Sequence, residues 1–355
     1  MTGIILYGSF ELAPYAKKYM NILDKANIPY DLIGWRREEE AQYLGENVYI
    51  YEGKAAKRFS SPFAKIMPAA GYRRYVKRLL KKKKYERLII LTTQTAIILC
   101  DILLTHYRGR YIFDYRDKSY EYIKPYSMLV NALILSSKET VISSEWFKNN
   151  LTGKKEYILS HNFQEVFLKY RKKECVKKED GKKIIAGYIG ALRSFEYHRH
   201  LIDCFKFDNR FEFHTYGCGD DVERLCEYSK NFDNIYVHGV YREQDKYSII
   251  ENFDIMCYNY PYSYVNDGAV ANKYYDALIM KKPMFVNPKT LLGAFIEKEN
   301  LGVGVDENSL EISGKIYDWY KNFNPENFSG KCDFLLDKYI AEDKLFYKKI
   351  KDNLI

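Results

Sequence analysis

The sequence predicts an α/β protein built from two Rossmann-like domains that face a cleft, and three observations carry that expectation. Its 355 residues exceed what one core commonly serves, about 100–200 residues per domain. Short apolar, β-branched runs alternate with amphipathic segments in both halves, the pattern of parallel strands joined by crossover helices. A charged, weakly apolar stretch at 168–183 separates the halves and reads as a linker.

The first domain, 1–167, opens with a strand at 4–7, a helix at 14–25 and strands at 30–34 and 48–51. Strands at 88–91, 111–114, 140–143 and 157–159 follow, with helices from about 95, at 127–135 and at 145–151 between them. The second domain, 184–330, repeats the scheme with strands at 184–189, 211–216, 235–238, 255–258 and 283–286. Its helices are read at 201–205, 222–228, 247–251 and 273–280. A helix at 331–355 closes the chain and can cross back to the first domain. Ligands of open α/β sheets bind at the carboxyl ends of strands, so the loops there are the place to look for chemistry.

Composition narrows the function classes. With 47% hydrophobic and 29% charged residues the chain is neither disordered nor low-complexity. Its apolar runs stop well short of the ~20 residues a membrane span needs, and the N-terminus reads as a strand and not a signal peptide, which points to the cytoplasm. Seven scattered cysteines without a CxxC pair suggest reduced, packed thiols and no metal site.

The net charge of +9 is uneven: residues 54–84 carry twelve Lys or Arg and no acid, so the rest of the chain is net negative. Tyr72, Tyr75, Val76, Leu79 and Leu80 recur at helical spacing among these cations. Two readings stand. The segment is a peripheral patch, with Lys77, Arg78, Lys81, Lys82, Lys83 and Lys84 against the anionic inner face of the cell membrane and a few apolar anchors beside them. Alternatively, the stripe faces the protein's own core. No nucleic-acid module is recognisable, so nucleic acid is not expected as a partner.

Four motifs in the second half stand in order: Tyr188-Ile189-Gly190-Ala191-Leu192-Arg193, Phe213-His214-Thr215-Tyr216-Gly217-Cys218-Gly219, Ile235-Tyr236-Val237-His238-Gly239, and Ala271-Asn272-Lys273-Tyr274-Tyr275-Asp276-Ala277-Leu278 running into Lys282-Pro283. In these the chain resembles the donor domain of GT-B glycosyltransferases, of the retaining family 4 kind found in bacterial capsule, O-antigen and exopolysaccharide synthesis. The likeness is good over roughly 184–305 and only in outline before that.

Each motif has a physical reason. Glycine at a strand end, as at Gly190, lets backbone approach a phosphate, and Arg193 beyond it can pair with a diphosphate. Gly217 and Gly219 make a tight turn that could pass close to a nucleotide; they are equally a plain turn. A helix opening at Asn272 offers free amides and a positive dipole end to an anion.

By resemblance, Asn272, Lys273 and Tyr274 serve phosphate and Asp276 serves ribose. Gly8 and Ser9 lie where relatives approach donor and acceptor, and Asp114, Arg116 and Asp117 lie on the acceptor side. Asp114 and Arg116 can also be read as a structural ion pair. Arg193 and Lys273 would stabilise the departing diphosphate, with Asp117 the third catalytic candidate.

Two departures are visible. Relatives often carry an acidic pair at E-x7-E spacing, but Gly268 stands eight residues before Asp276, with Asp267 one step off. The lysine common after the arginine is missing, leaving His198 or Arg199 as substitutes. The resemblance implies transfer of a sugar from a nucleotide-sugar donor, itself the substrate with no further cofactor, to a lipid-linked glycan. A nucleotide-sugar 2-epimerase and a non-catalytic GT-B-like subunit are the alternatives. The sequence leaves the oligomeric state undefined.

Overall fold

A computed structural model describes residues 1–36, 46–53, 62–151, 156–192 and 194–354. The chain divides into two compact units, Met1–His161 with Ala341–Ile355, and Asn162–Ile340. Both are parallel sheets covered by helices, so the Rossmann-like pair expected from the alternation is what forms.

The first unit runs β1 (Thr2–Leu6), α1 (Ala16–Lys25), β2 (Tyr30–Trp35), β3 (Val48–Tyr51), α2 (Pro62–Lys83), β4 (Arg87–Leu91), α3 (Thr93–Ile98), α4 (Cys100–Thr105), β5 (Tyr111–Tyr115), α5 (Lys124–Ser136), β6 (Glu139–Ile142) and β7 (Ile158–Leu159). Its seven strands lie in the order β3-β2-β1-β4-β5-β6-β7. β1 and β4 pair from Thr2 against Arg87 to Leu6 against Leu91, and the strand order reverses at this pair. Ile4, Ile5, Ile89 and Ile90 are fully buried because helices cover both faces, which is why these strands read as apolar runs without alternation.

On α1, Tyr19, Ile22 and Leu23 face the sheet while Lys17 stays exposed. On α2, Tyr72, Val76 and Leu80, each four residues apart, are buried in the core of the sheet, where Tyr72 stacks on Trp35 at 6.3 Å and its hydroxyl donates to the Leu6 carbonyl at 2.9 Å. Burying each such side chain is worth about 1.5–3 kcal/mol, so the helix is committed to its own sheet by this stripe.

The second unit runs β8 (Ile184–Ile189), α6 (Phe195–Phe205), β9 (Phe211–Tyr216), α7 (Val222–Ser229), β10 (Ile235–Gly239), α8 (Lys246–Glu251), β11 (Ile255–Tyr258), α9 (Asn272–Met280), β12 (Met284–Val286), α10 (Leu291–Lys298), β13 (Gly302–Gly304), α11 (Ile312–Asn322) and α12 (Pro325–Leu354). The strand order is β10-β9-β8-β11-β12-β13, with its reversal between β8 and β11.

Residues 168–183, read as a linker, run along this unit. The amide of Lys172 bonds the Ile279 carbonyl, that of Cys175 the Ser329 hydroxyl and that of Lys178 the Tyr320 hydroxyl. The final helix begins at Pro325, before the expected 331, and its last part belongs to the first unit. There Phe346, Ile350 and Leu354 pack with Ile4, Tyr19 and Leu23. Among the described residues no helix is long and apolar enough to cross a membrane.

Candidate active site

In the second unit the sheet's carboxyl edge is made of backbone held at close quarters. Strand pairing continues past β8 and β9, with the Gly190 amide on the Tyr216 carbonyl at 2.9 Å and the Leu192 amide on the Cys218 carbonyl at 2.8 Å. A Cβ on Gly217 would stand 1.7 Å from the Gly190 carbonyl oxygen, and one on Gly219 would stand 1.8 Å from that of Leu192. Only glycine fits either place, so these residues make a close backbone approach and not a simple reverse turn.

The strand order reverses between β8 and β11, where the crevice of an open α/β sheet forms. Lys273, in the first turn of α9, reaches this point. Its Nζ is 3.4 Å from where a Cβ on Gly190 would lie, 3.9 Å from the centre of the Tyr188 ring and 4.7 Å from that of Tyr260. Tyr188 lies on β8 and Tyr260 just past β11, so the two elements of the switch point cradle the ammonium.

The side chain is buried, and among the described residues no hydrogen-bond acceptor meets its Nζ. Burial pushes the Lys273 pKa down to about 8, against the opposing pull of Cys257 and Asp276, so the group is cationic at neutral pH. Two aromatic faces offset part of the cost of burying it.

Two further polar side chains at this edge lack partners among the described residues. His198 on α6 is buried edge-on against Tyr188, at 4.7 Å between rings, with Nδ1 unbonded. Burial, then the charge of Lys273, holds its pKa down near 4, so it is neutral at pH 7. Asn259, directly after β11, is buried with both Oδ1 and Nδ2 unbonded. Of the two substitutes for the missing lysine, Arg199 turns outward to Glu196 and Asp203, whereas His198 lies beside Lys273.

Asn272 opens α9 and is exposed, and helix geometry leaves the first amides of that helix without an intrahelical acceptor. The Tyr274 side chain points away, its hydroxyl 3.0 Å from that of Tyr339, so only its backbone could serve a phosphate. Asp276 is buried and already engaged: Lys246 Nζ lies 2.9 and 3.0 Å from its two oxygens and the Tyr247 hydroxyl donates at 2.7 Å. Oδ2 takes only the lysine, which leaves it capacity for a further donor. Asp267, one step off the expected acidic position, accepts from the Leu291 amide at 3.1 Å and so holds the start of α10. Arg193 lies outside the described residues.

The corresponding edge of the first unit is differently built. Gly8 and Ser9 follow β1, and the Gly8 carbonyl accepts from the Trp35 amide at 2.9 Å. A Cβ on Gly8 would meet only Leu6, at 3.8 Å, so neither packing nor a positive φ demands glycine there. Across the switch point Thr92 directly follows β4 at φ 74°, ψ 151°, a conformation costly for a β-branched residue, and its side chain caps α3.

Asp114 and Arg116, read either as acceptor-side residues or as a structural ion pair, form the ion pair in the structure. Arg116 Nε lies 2.7 Å and its Nη2 2.9 Å from the Asp114 carboxylate, both side chains fully buried. The Tyr19 hydroxyl donates to Asp114 at 2.7 Å, and Arg116 also holds the Ser160 carbonyl at 2.8 Å. Asp117, two residues past β5, is exposed at the edge. His161 is tied to Glu342 at 2.7 Å.

In the basic segment, Lys54, Lys57, Arg58 and Phe59 lie outside the described residues. Of the patch, Lys77 pairs with Asp101 at 2.9 Å and Lys83 with Asp31 at 3.5 Å, while Lys81, Lys82 and Lys84 have no acidic partner among the described residues. Tyr72, Val76 and Leu80 are in the core and are therefore not apolar anchors.

Reading from sequence missed Tyr260, Asn259 and the Lys246–Tyr247 clasp. Position alone, directly after a strand at the switch point, could have marked the first two.

No protein-family model matches the chain, and no curated protein sequence matches it. Solved structures do. A sucrose-phosphate synthase from Thermosynechococcus elongatus superposes with a TM-score of 0.68 at 10% identity, covering 98% of each chain. HepE from Anabaena, solved with UDP and glucose, gives 0.66 at 10% identity over 98% of each chain. The lipopolysaccharide outer core galactosyltransferase WaaB gives 0.64 at 11% identity, covering 100% of this chain and 99% of that one. At such identities the likeness establishes the fold, the two Rossmann-like domains of GT-B glycosyltransferases.

Proposed function

We propose that the chain is a glycosyltransferase that moves a sugar from a nucleotide-sugar donor to a lipid-linked glycan in surface polysaccharide synthesis. In this reading it works with retention and without a metal ion, in the cytoplasm at the inner face of the cell membrane. The observation that carries the reading is Lys273: a buried cation without an acceptor among the described residues, at the start of a helix and beside a strand-end glycine. An unpaired buried charge is expensive, and a diphosphate would supply the missing counter-charge. HepE, solved with UDP-glucose, and an Escherichia coli trehalose-6-phosphate protein bound to UDP-2-fluoro glucose share the fold and support a nucleotide-sugar ligand.

The roles follow from charge. As the glycosidic bond breaks, negative charge grows on the leaving diphosphate, and Lys273, the Asn272 and Lys273 amides and Arg193 would stabilise it. Gly190, Gly217 and Gly219 let the backbone come close to the nucleotide. Asp276, braced by Lys246 and Tyr247, would take a ribose hydroxyl on Oδ2. Gly8, Ser9 and the exposed Asp117 would serve the acceptor side. Retention in this reading comes from attack on the face the diphosphate leaves, so the leaving phosphate itself receives the acceptor's proton.

The test is a thermal-shift and donor-hydrolysis panel of UDP-, GDP- and dTDP-sugars on the wild type and Lys273→Met, with and without EDTA. One donor should stabilise and be slowly hydrolysed by the wild type alone, unaffected by chelation. Release of an epimer would identify a 2-epimerase, and no nucleotide effect on either protein would leave the non-catalytic alternative.

A further inference from the structure

A second place on the first unit concentrates free positive charge. A groove of about 580 Å³ lies where the last turns of α2 and of α4 meet the starts of β4 and β5. In a parallel sheet this is the amino edge of the strands. It lies a five-residue strand, roughly 16 Å at about 3.3 Å per residue, from the edge bearing Gly8 and Asp117. The groove is therefore separate from the carboxyl edge of its own sheet.

Its chemistry is mixed. The half-buried Ile102, with the small exposed edges of the otherwise buried Leu80 and Tyr107, gives it an apolar wall, and Arg78, Lys81, Lys84 and Arg110 ring it. Two acids also line the groove: Asp101 is held by Arg73 at 2.7 Å and Lys77 at 2.9 Å, and the exposed Glu86 lies 3.5 Å from the Met1 amino group, so the lining stays net positive. The four ringing cations have no acidic partner among the described residues. Arg110 is steadied by the Tyr107 ring 5.0 Å away and by the His106 carbonyl. Meanwhile the apolar stripe of α2 is spent on the core, so the helix cannot lie in a bilayer by its own apolar face.

We propose that this groove captures the phosphate head group of an anionic phospholipid, its apolar wall lying against the glycerol and first acyl carbons. This rests on the membrane-facing reading of the basic segment and gives that reading a site. Contact would be by head-group capture, not by insertion of an amphipathic helix. Clustered Lys and Arg at the rim supply the charge complementarity.

The experiment is vesicle flotation of the full chain with phosphatidylcholine vesicles, alone or enriched in phosphatidylglycerol as the anionic lipid. The triple variant Arg78→Gln, Lys81→Gln, Lys84→Gln is compared with a charge-matched control at exposed sites elsewhere, Lys17→Gln, Lys344→Gln, Lys348→Gln. The wild type should float only with the anionic vesicles, and the groove variant should bind about 100-fold more weakly at low salt, each cation being worth about fivefold. The control should keep most of its binding. Equal losses in both triples would show diffuse attraction and overturn the proposal, as would a wild type indifferent to phosphatidylglycerol.

Dihexanoyl phosphatidylglycerol should displace the protein from vesicles at concentrations where inorganic phosphate does not; equal competition would mean a free-phosphate site and overturn the lipid assignment. Circular dichroism of both triples guards against misfolding, and single Lys81→Glu replaces the triple if it fails to fold. Nucleotide binding by the wild type is read in a separate thermal shift, so failure of the donor reading and failure of this one are distinguishable.

Discussion

The two parallel sheets carry buried cations at their carboxyl edges and treat them in opposite ways. In the first unit Arg116 is clasped by Asp114, Ser160 and the face of Tyr15, and Lys18 is held by Asp343 and the His161 carbonyl. In the second, Lys273 has two aromatic faces and, among the described residues, no acceptor. A satisfied buried charge specifies architecture; an unsatisfied one is costly to keep and is explained by what could join it. The contrast predicts that the same kind of substitution has opposite consequences at the two edges.

The largest expected effect is on stability. Arg116→Met leaves the Asp114 carboxylate buried with the Tyr19 hydroxyl as its remaining strong donor and should cost about 3–5 kcal/mol, read as a lower urea midpoint. Lys273→Met keeps the volume while removing an unpaired charge, and its midpoint should stay level or rise. Equal destabilisation by both would erase the distinction between the two edges.

Function should reverse the ranking. If Lys273 meets the departing diphosphate, Lys273→Met should slow donor cleavage by an amount equivalent to about 2.7–4 kcal/mol, the usual worth of one such contact. A Lys273→Met protein that cleaves donor at the wild-type rate would place the chemistry elsewhere.

Proton linkage sharpens the contrast further. Lys273 titrates near 8 in the free protein, so donor affinity should be flat below that pH and fall by up to about tenfold per unit above it, a dependence absent from Lys273→Arg. His198 adds a stability signature. Its folded pKa, near 4, lies below the unfolded 6.5, so the unfolded chain binds the extra proton between these values. Stability should therefore decline as pH falls from 6.5 to 4, and His198→Phe should remove that part of the decline. A slope unchanged in His198→Phe would assign the acid sensitivity to other groups.

The same comparison shows what a sequence can disclose. Strand periods, the glycine-ended strands and the helix start at Asn272 are local signals, and the second unit's edge is assembled largely from them. The Asp114–Arg116 pair was harder to place because its direction depends on Tyr19 and Ser160, distant in the chain. Asp276 was similar: the residues that clasp it, Lys246 and Tyr247, stand about one crossover unit upstream, with no motif of their own. The charge of 54–84 was plain, but which way the α2 stripe faced was decided by Trp35, Tyr51 and the carbonyl of Leu6. Past 286, Gly302–Gly304 forms an edge strand too short and too poor in β-branched residues to announce itself.

The smallest effect concerns glycine, and it separates packing from ligand approach. At Gly217 a methyl group would strike the Gly190 carbonyl, so Gly217→Ala must shift backbone and should harm folding and donor binding together. At Gly8 the surroundings admit a methyl, with Leu6 at 3.8 Å and no positive φ, so Gly8→Ala should leave stability unchanged or raise it by about 0.4–1 kcal/mol by stiffening the unfolded chain. Nothing within the described protein then accounts for glycine at that strand end. If a substrate must come close to this backbone, Gly8→Ala should weaken its binding at full stability, read as a raised KM with an unshifted Tm. Were KM also unmoved, Gly8 would be incidental, and the first unit's carboxyl edge would keep only Ser9 and Asp117 as acceptor-side residues.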